Sequence, residues 1–215
     1  MSTRTVLLAG ATGLVGGLIL EALLADPTVS AVHALSRRPL PLQHPKLEVH
    51  VVDFSQLPAL PPTDEVYLAL GTTIKVAGSQ AAFRAVDFEA NLAVARAAGA
   101  RRVGLVSAAA ANAKSAIFYN RVKGELEDAL KAMDFTALVI AQPSLLLGSR
   151  AHLQQPRRLG EIIASPIARL FAPLLPGAYR PVSARAVARA LVNTVSTANG
   201  LVVLTSDLLA RSDRH

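Results

Sequence analysis

The sequence predicts an α/β domain built on a doubly wound parallel sheet, and three observations carry that expectation. Apolar runs of strand length alternate with helix-length periodic segments, a glycine-rich turn follows the first run, and 52% of the 215 residues are apolar. With 17% charged residues the composition excludes a disordered chain, and the length suits one large domain with a substantial core. No apolar stretch runs about 18 residues without a charge or a breaker, so no spanning helix is expected. Met1–Thr5 leads straight into a strand-like run, without the basic region, longer apolar run and small-residue site of a signal peptide. Cysteine is absent, which excludes disulfides and thiolate-bound metal and makes the cytoplasm the expected compartment.

The elements follow in order. Thr5–Ala9 (TVLLA) reads as a buried strand and Leu14–Ala25 as a helix with glycine at its start. Ala31–Ser36 (AVHALS) is a second strand, followed by a Pro-rich connection through Pro45. Leu47–Val52 and Glu65–Leu70 are two more strands, separated by a turn region holding Pro58, Pro61 and Pro62. Gln80–Ala98 is a long Ala-rich helix with Phe83, Val86, Ala90, Val94 and Ala97 at helical spacing, closed by Gly99. Strand Arg102–Ser107, helix Ser115–Ala132 and strand Thr136–Ala141 come next. Gly160–Leu175 is an apolar helical segment interrupted by Pro166 and Pro173, Ser183 caps a helix to Ser196, and Leu201–Thr205 is the final strand. This alternation implies right-handed crossovers with helices on both faces. The chain reads as one domain over 1–215, with Gly148–Pro181 as a small irregular cap over the carboxyl edge of the sheet.

Charge is unevenly placed. Of the formal net charge of +7, +6 lies between Arg150 and Ala190, where Arg150, Arg157, Arg158, Arg169, Arg180, Arg185 and Arg189 face one acid, Glu161. Such a stretch suits an anionic substrate, an acidic membrane surface or simple solvation. Nucleic acid is disfavoured, because aromatics are scarce and no reader motif is present. The five histidines (His33, His44, His50, His152, His215) show no metal-ligand spacing, so no metal is expected.

The first strand runs into Gly10-Ala11-Thr12-Gly13-Leu14-Val15-Gly16-Gly17, a GxxGxxG pattern. Gly10 permits a sharp turn, Gly13 lets a pyrophosphate approach the backbone, and Gly16 lets the helix lie close to the strand. The free N–H groups and positive dipole end of the helix then face phosphates, with Thr12, Leu14 and Val15 on the same turn. Between a strand and a helix, this turn makes a dinucleotide the expected ligand.

The second strand ends Leu35-Ser36-Arg37-Arg38, with no acid between Ala31 and Gln43. An acid there would accept from the ribose 2′-hydroxyl of NAD, whereas arginines grip a 2′-phosphate bidentately and Ser36 adds a donor. NADP(H) is therefore expected over NAD(H). Asp53, with Phe54 beside it, follows the third strand within reach of an adenine amino group, although a turn role suits Asp53 equally. Leu70-Gly71-Thr72-Thr73 ends the fourth strand, where backbone and hydroxyls can line the cofactor ribose.

Tyr119-Asn120-Arg121-Val122-Lys123 opens the helix after the fifth strand, and Tyr and Lys at this spacing share a helix face. Phenols ionise near pH 10 in water, and a neighbouring ammonium brings a phenol toward the working range. Ser107, at the end of the fifth strand, is the candidate to hydrogen-bond a substrate carbonyl oxygen. The order of glycine turn, strand-end serine and YxxxK gives the three their meaning.

On these residues the chain resembles an atypical short-chain dehydrogenase/reductase, and most closely the Tat-interacting oxidoreductase-like family, within the epimerase/dehydratase-like superfamily. The resemblance covers nearly the whole chain. It rests on GATGLVGG at Gly10–Gly17, SRR at Ser36–Arg38, LGTT at Leu70–Thr73, YNRVKGELE at Tyr119–Glu127 and QPSLLLGSR at Gln142–Arg150. It implies a seven-stranded Rossmann sheet, NADP(H) binding, catalysis by Tyr119 and Lys123 with Ser107, and Pro143, Ser144 and Leu145 over the nicotinamide side. Relatives often pair serines where this chain has Ser107-Ala108. Gln142 stands where an arginine commonly precedes the proline, so an anionic-substrate contact there is not expected. The favoured function is an NADPH-dependent carbonyl or quinone reductase. A cofactor-sensing regulator acting through a protein partner is the alternative, and a nucleotide-sugar epimerase or dehydratase ranks third because few residues follow the sixth strand.

Overall fold

The structure is a computed structural model that describes residues 3–147 and 181–211. Seven parallel strands form its main sheet: β1 (Arg4–Ala9), β2 (Val29–Ser36), β3 (Leu47–Val51), β4 (Glu65–Leu68), β5 (Arg102–Val106), β6 (Ala137–Gln142) and β9 (Gly200–Thr205). Their order across the sheet is β3-β2-β1-β4-β5-β6-β9. Winding reverses between β1 and β4, the point in such sheets where a crevice opens beyond the strands' carboxyl ends. Two short strands, β7 (Leu146–Leu147) and β8 (Val182–Ser183), pair in parallel beside it. This is the doubly wound Rossmann architecture expected from the sequence.

Two apolar layers hold the sheet. On one face Val6, Leu8, Val32 and Ala34 meet Val15, Ile19 and Leu23 of helix α1 (Leu14–Ala25) and Val187, Leu191 and Val195 of helix α6 (Ala184–Val195). On the other, Leu7, Leu35, Leu68 and Leu105 pack on Leu92 and Ala95 of helix α4 (Asn91–Ala98) and on Leu126 and Leu130 of helix α5 (Phe118–Lys131). Each fully buried side chain of this size contributes about 1.5–3 kcal/mol. Ser183 caps α6 as the sequence implies, its hydroxyl accepting from the Ala186 N–H at 3.0 Å.

Several boundaries differ from the sequence reading. The long helix is helix α3 (Gln80–Arg84), a π-helical stretch (Ala85–Ala90) and α4 in succession, and apolar periodicity alone does not reveal the wider turn. Helix α5 begins at Phe118, not Ser115, because the Ser115 hydroxyl accepts from the Ile117 N–H and holds the chain in a turn. Two short helices, α2 (Ile74–Ala77) and α7 (Ser206–Arg211), fall in segments that the sequence reading leaves unassigned. The Gly160–Leu175 segment, the arginines from 150 to 180 and, but for Pro181, the cap reading over 148–181 lie outside the described residues.

At the amino edge of the sheet a buried polar cluster closes the fold. Arg4 Nε lies 3.0 Å from Glu65, its Nη2 lies 2.8 Å from Asp26, and the Tyr67 hydroxyl donates to Glu65 at 2.9 Å. At the outer edge the β2–β3 pairing brings His33, Glu48 and His50 together, although their spacing along the chain shows no metal-ligand pattern.

Candidate functional site

Because all seven strands are parallel, the residues that follow β1 to β6 converge on one edge. Gly10 takes φ +101°, and a Cβ on it would lie 2.4 Å from the Ala69 carbonyl oxygen, so only glycine lets the turn pass between β1 and β4. A Cβ on Gly16 would meet the Gly10 carbonyl oxygen at 2.0 Å, which fixes α1 against the turn. Gly13 is the N-cap of α1, with no side-chain cap and no acid in the first turn, and exposed Thr12 flanks it. The leading N–H groups of α1, from Leu14 to Gly16, therefore have no intrahelical partner and no competing carboxylate. These residues fit the pyrophosphate of a dinucleotide.

Ser36 is buried at the end of β2, where its hydroxyl accepts from the Arg38 N–H at 3.4 Å. Arg37 and Arg38 are exposed and make no ion pair among the described residues. Exposed Asp53 accepts from the Ser55 N–H and hydroxyl at 2.9 and 2.8 Å, which holds its carboxyl below the usual range and gives it the turn role. Phe54 is packed against the core layer.

Beyond β4, Leu70 to Thr73 meet the π-helical stretch. The Thr72 N–H donates to Asp87 at 2.8 Å, and the Thr73 hydroxyl caps α2 by accepting from the Val76 N–H. Asn91, fully buried, donates to the carbonyls of Leu70, Val86 and Asp87 and ties that stretch to the end of β4. Asp87 in turn holds Lys123, Nζ to Oδ1 at 2.8 Å, and both side chains are buried. A Cβ on Gly71 would lie 3.5 Å from Asp87 and 3.9 Å from Lys123, so the ion pair sits directly beneath that turn. Burial works to lower the Lys123 pKa, but Asp87 and then Tyr119 outweigh it and hold the ammonium above its usual value. The Tyr119 ring packs at 5.6 Å from that of Phe83, which fixes its orientation above Lys123 on α5.

Ser107 lies at the end of β5, with its N–H on Ala141 and its hydroxyl donating to Glu127 at 2.5 Å. Glu127 is buried on α5 and also receives Gln142 Nε2 at 2.9 and 3.0 Å, with Lys131 at 3.4 Å. Gln142 thus faces Glu127. Pro143 is buried and accepts from the Ala109 N–H, and the Ser144 N–H donates to Ser206, so the segment through Leu145 is fixed to the β5 loop and to α7.

The structure therefore brings Tyr119, Lys123, Ser107 and the glycine turn to one edge and adds Asp87, Asn91 and Glu127, which the sequence reading missed. The signal was present: Asp87 and Asn91 fall in phase with Phe83 and Val94, polar groups on the apolar stripe of a helix.

Comparisons with known proteins give the family and the fold. A family model described as NAD(P)H-binding matches residues 10–146. The chain is 36% identical to "Protein fmp52, mitochondrial" of Aspergillus clavatus, over 97% of this chain and 92% of that protein. Relatives from Coccidioides immitis and Candida glabrata bear the same name. Their mitochondrial naming overturns the cytoplasmic expectation, which rested on composition alone. Among solved structures, a short-chain dehydrogenase/reductase family oxidoreductase of Burkholderia thailandensis superposes with TM-score 0.68 at 17% identity, over 98% of this chain and 94% of that one. MoeE5 in complex with UDP-glucose and NAD gives 0.68 at 20% identity, over 93% and 75%. At these identities the structural likeness speaks for the fold.

Proposed function

The chain belongs to the NAD(P)H-binding family, and from that premise we propose that it is an NADP(H)-dependent reductase of small carbonyl or quinone compounds. The observation that carries the reading is the Tyr119–Lys123–Asp87 arrangement at the mouth of the glycine-turn crevice. Exposed Arg37 and Arg38, with no acid nearby, support a 2′-phosphate and hence NADP(H) over NAD(H).

Bound nicotinamide would supply the hydride that adds to the carbonyl carbon. Tyr119 gives its phenolic proton to the carbonyl oxygen, completing an alcohol. Lys123 stabilises the resulting phenolate until solvent returns the proton, and its ammonium binds the cofactor ribose. Asp87 keeps that ammonium charged and in place, acting through Lys123 as a positioning residue. Pro143, Ser144 and Leu145 would wall the nicotinamide side, and Leu70 to Thr73 would line the ribose.

A second reading, a cofactor-sensing protein of low turnover, draws on Ser107. Its hydroxyl hydrogen is held by Glu127 and so is not offered to a substrate carbonyl. NADPH oxidation against a panel of aldehydes, ketones and quinones separates the two. A reductase is expected to turn over at least one class and to lose about 10²–10⁴-fold in rate in Tyr119→Phe. Saturable NADPH binding with no turnover across the panel would favour the sensor.

A further inference from the structure

The parallel pairing of β2 with β3 carries a cluster that the cofactor crevice does not use. In the register His33 lies opposite Glu48, and Leu35 opposite His50. Side chains two apart on a strand share a face, so all three polar groups stand on one side of the sheet. His33 Nδ1 lies 3.0 Å from His50 Nε2 and 3.3 Å from one Glu48 carboxylate oxygen, and His50 Nε2 lies 3.5 Å from the other. Around a tetrahedral ion with bonds of about 2.0–2.1 Å, ligand atoms stand about 3.3 Å apart. The His33–His50 and His33–Glu48 separations are close to two edges of such a tetrahedron, and one ligand atom from each of the three residues lies within 4.8 Å of the others.

The donor set narrows the ion. Two imidazoles and one carboxylate suit Zn²⁺ and its first-row neighbours, whereas Mg²⁺ and Ca²⁺ favour oxygen alone. The cluster is graded in depth: His33 is buried, His50 is half-buried and Glu48 is exposed. An ion would be anchored from within the sheet and keep a fourth position for water. Among the described residues β3 is an edge strand, paired only to β2, and its last residue, Val51, is 57% exposed.

We propose that His33, Glu48 and His50 form a zinc-class divalent-metal site, completed by water, that fastens the edge strand β3 to β2. The site stands apart from the reductase reading and does not depend on it. It lies just before Ser36 and Val52 on the two strands, so an ion there would also steady the turns that carry Arg37, Arg38 and Asp53.

The test uses the full chain, stripped of metal by a chelator and titrated with Co²⁺, whose tetrahedral complexes absorb strongly in the visible. One Co²⁺ per chain is expected, displaced by Zn²⁺ but not by Mg²⁺, with a rise in Tm that Zn²⁺ gives and Mg²⁺ does not. Glu48→Gln, at an exposed position, should weaken Zn²⁺ binding at least about tenfold, and His50→Ala should abolish the visible band. Circular dichroism confirms that both variants are folded. A wild-type protein with neither the band nor Zn²⁺-specific stabilisation overturns the proposal. So does a band that survives both substitutions, since it would belong to another histidine.

Discussion

Each edge of the parallel sheet buries an ion pair, and the two are built differently. At the amino edge Arg4 faces Glu65, with Asp26 and Tyr67 completing the cluster. Burial raises the Glu65 pKa while Arg4 and Tyr67 pull it back, and every partner is another side chain of the fold. At the carboxyl edge Lys123 faces Asp87 beneath Gly71, next to a helix start with no cap. Ala110, in the loop after β5, takes φ 61° there, a left-handed value found at no other non-glycine among the described residues. One edge spends its buried charge on closing the sheet. The other holds charge and strain where a ligand would meet them, the pattern expected of functional sites.

The largest test of that contrast is Gly16→Ala. With a Cβ 2.0 Å from the Gly10 carbonyl oxygen, the turn and α1 must separate, and saturable NADPH binding by fluorescence titration is expected to vanish. Retained binding would show that the turn tolerates the shift. Next come Asp87→Asn, which leaves buried Lys123 without its carboxylate, and Glu65→Gln, which leaves Arg4 with Asp26 alone. Denaturant melts should show about 3–5 kcal/mol lost for Asp87→Asn and less for Glu65→Gln, where Asp26 still holds Arg4. Only Asp87→Asn should also lower NADPH-linked turnover, and equal turnover losses in both would erase the distinction between the edges.

Alkaline unfolding sharpens the same pair. The raised Lys123 pKa means the folded protein keeps this proton longer than the unfolded chain does. Its stabilisation is whole below about pH 10.5 and drains as pH climbs through the folded value. Removing Asp87 should bring that loss to lower pH, whereas Glu65→Gln should leave it in place. The smallest effect belongs to Ala110→Gly, which relieves the left-handed strain against the entropy of a freer unfolded chain. A gain of no more than about 1 kcal/mol is expected in thermal melts, and a loss would mean that the Ala110 methyl packs usefully.

What the sequence disclosed was whatever is written locally. The strands from Thr5 to Ala9 and Thr136 to Ala141, the GxxGxxG turn and the YxxxK spacing all lie within one element or one turn. Asp87 and Glu127 escaped because their partners, Lys123, Thr72, Ser107 and Gln142, come from separate segments that only the folded sheet brings together. The π-helical stretch compounded this, since one extra residue per turn leaves no mark on composition. The His33, Glu48 and His50 cluster was hidden for a related reason. Metal motifs are counted along the chain, whereas parallel register sets residues of distant number side by side.

Helix α5 carries Tyr119, Lys123 and Glu127 at a stride of four residues. Each such step overshoots a full turn by about 40°, so the three side chains fan around the helix while advancing about 12 Å along it. That fan lets one rod address Phe83, Asp87 and the pair Ser107–Gln142 in turn. The arrangement behaves like a key with three teeth cut at fixed offsets. Single substitutions blunt one tooth, but inserting or deleting one residue between Tyr119 and Glu127 swings part of the blade by about 100° and takes teeth out of the lock together. Over this stretch the helix can change letters but not length.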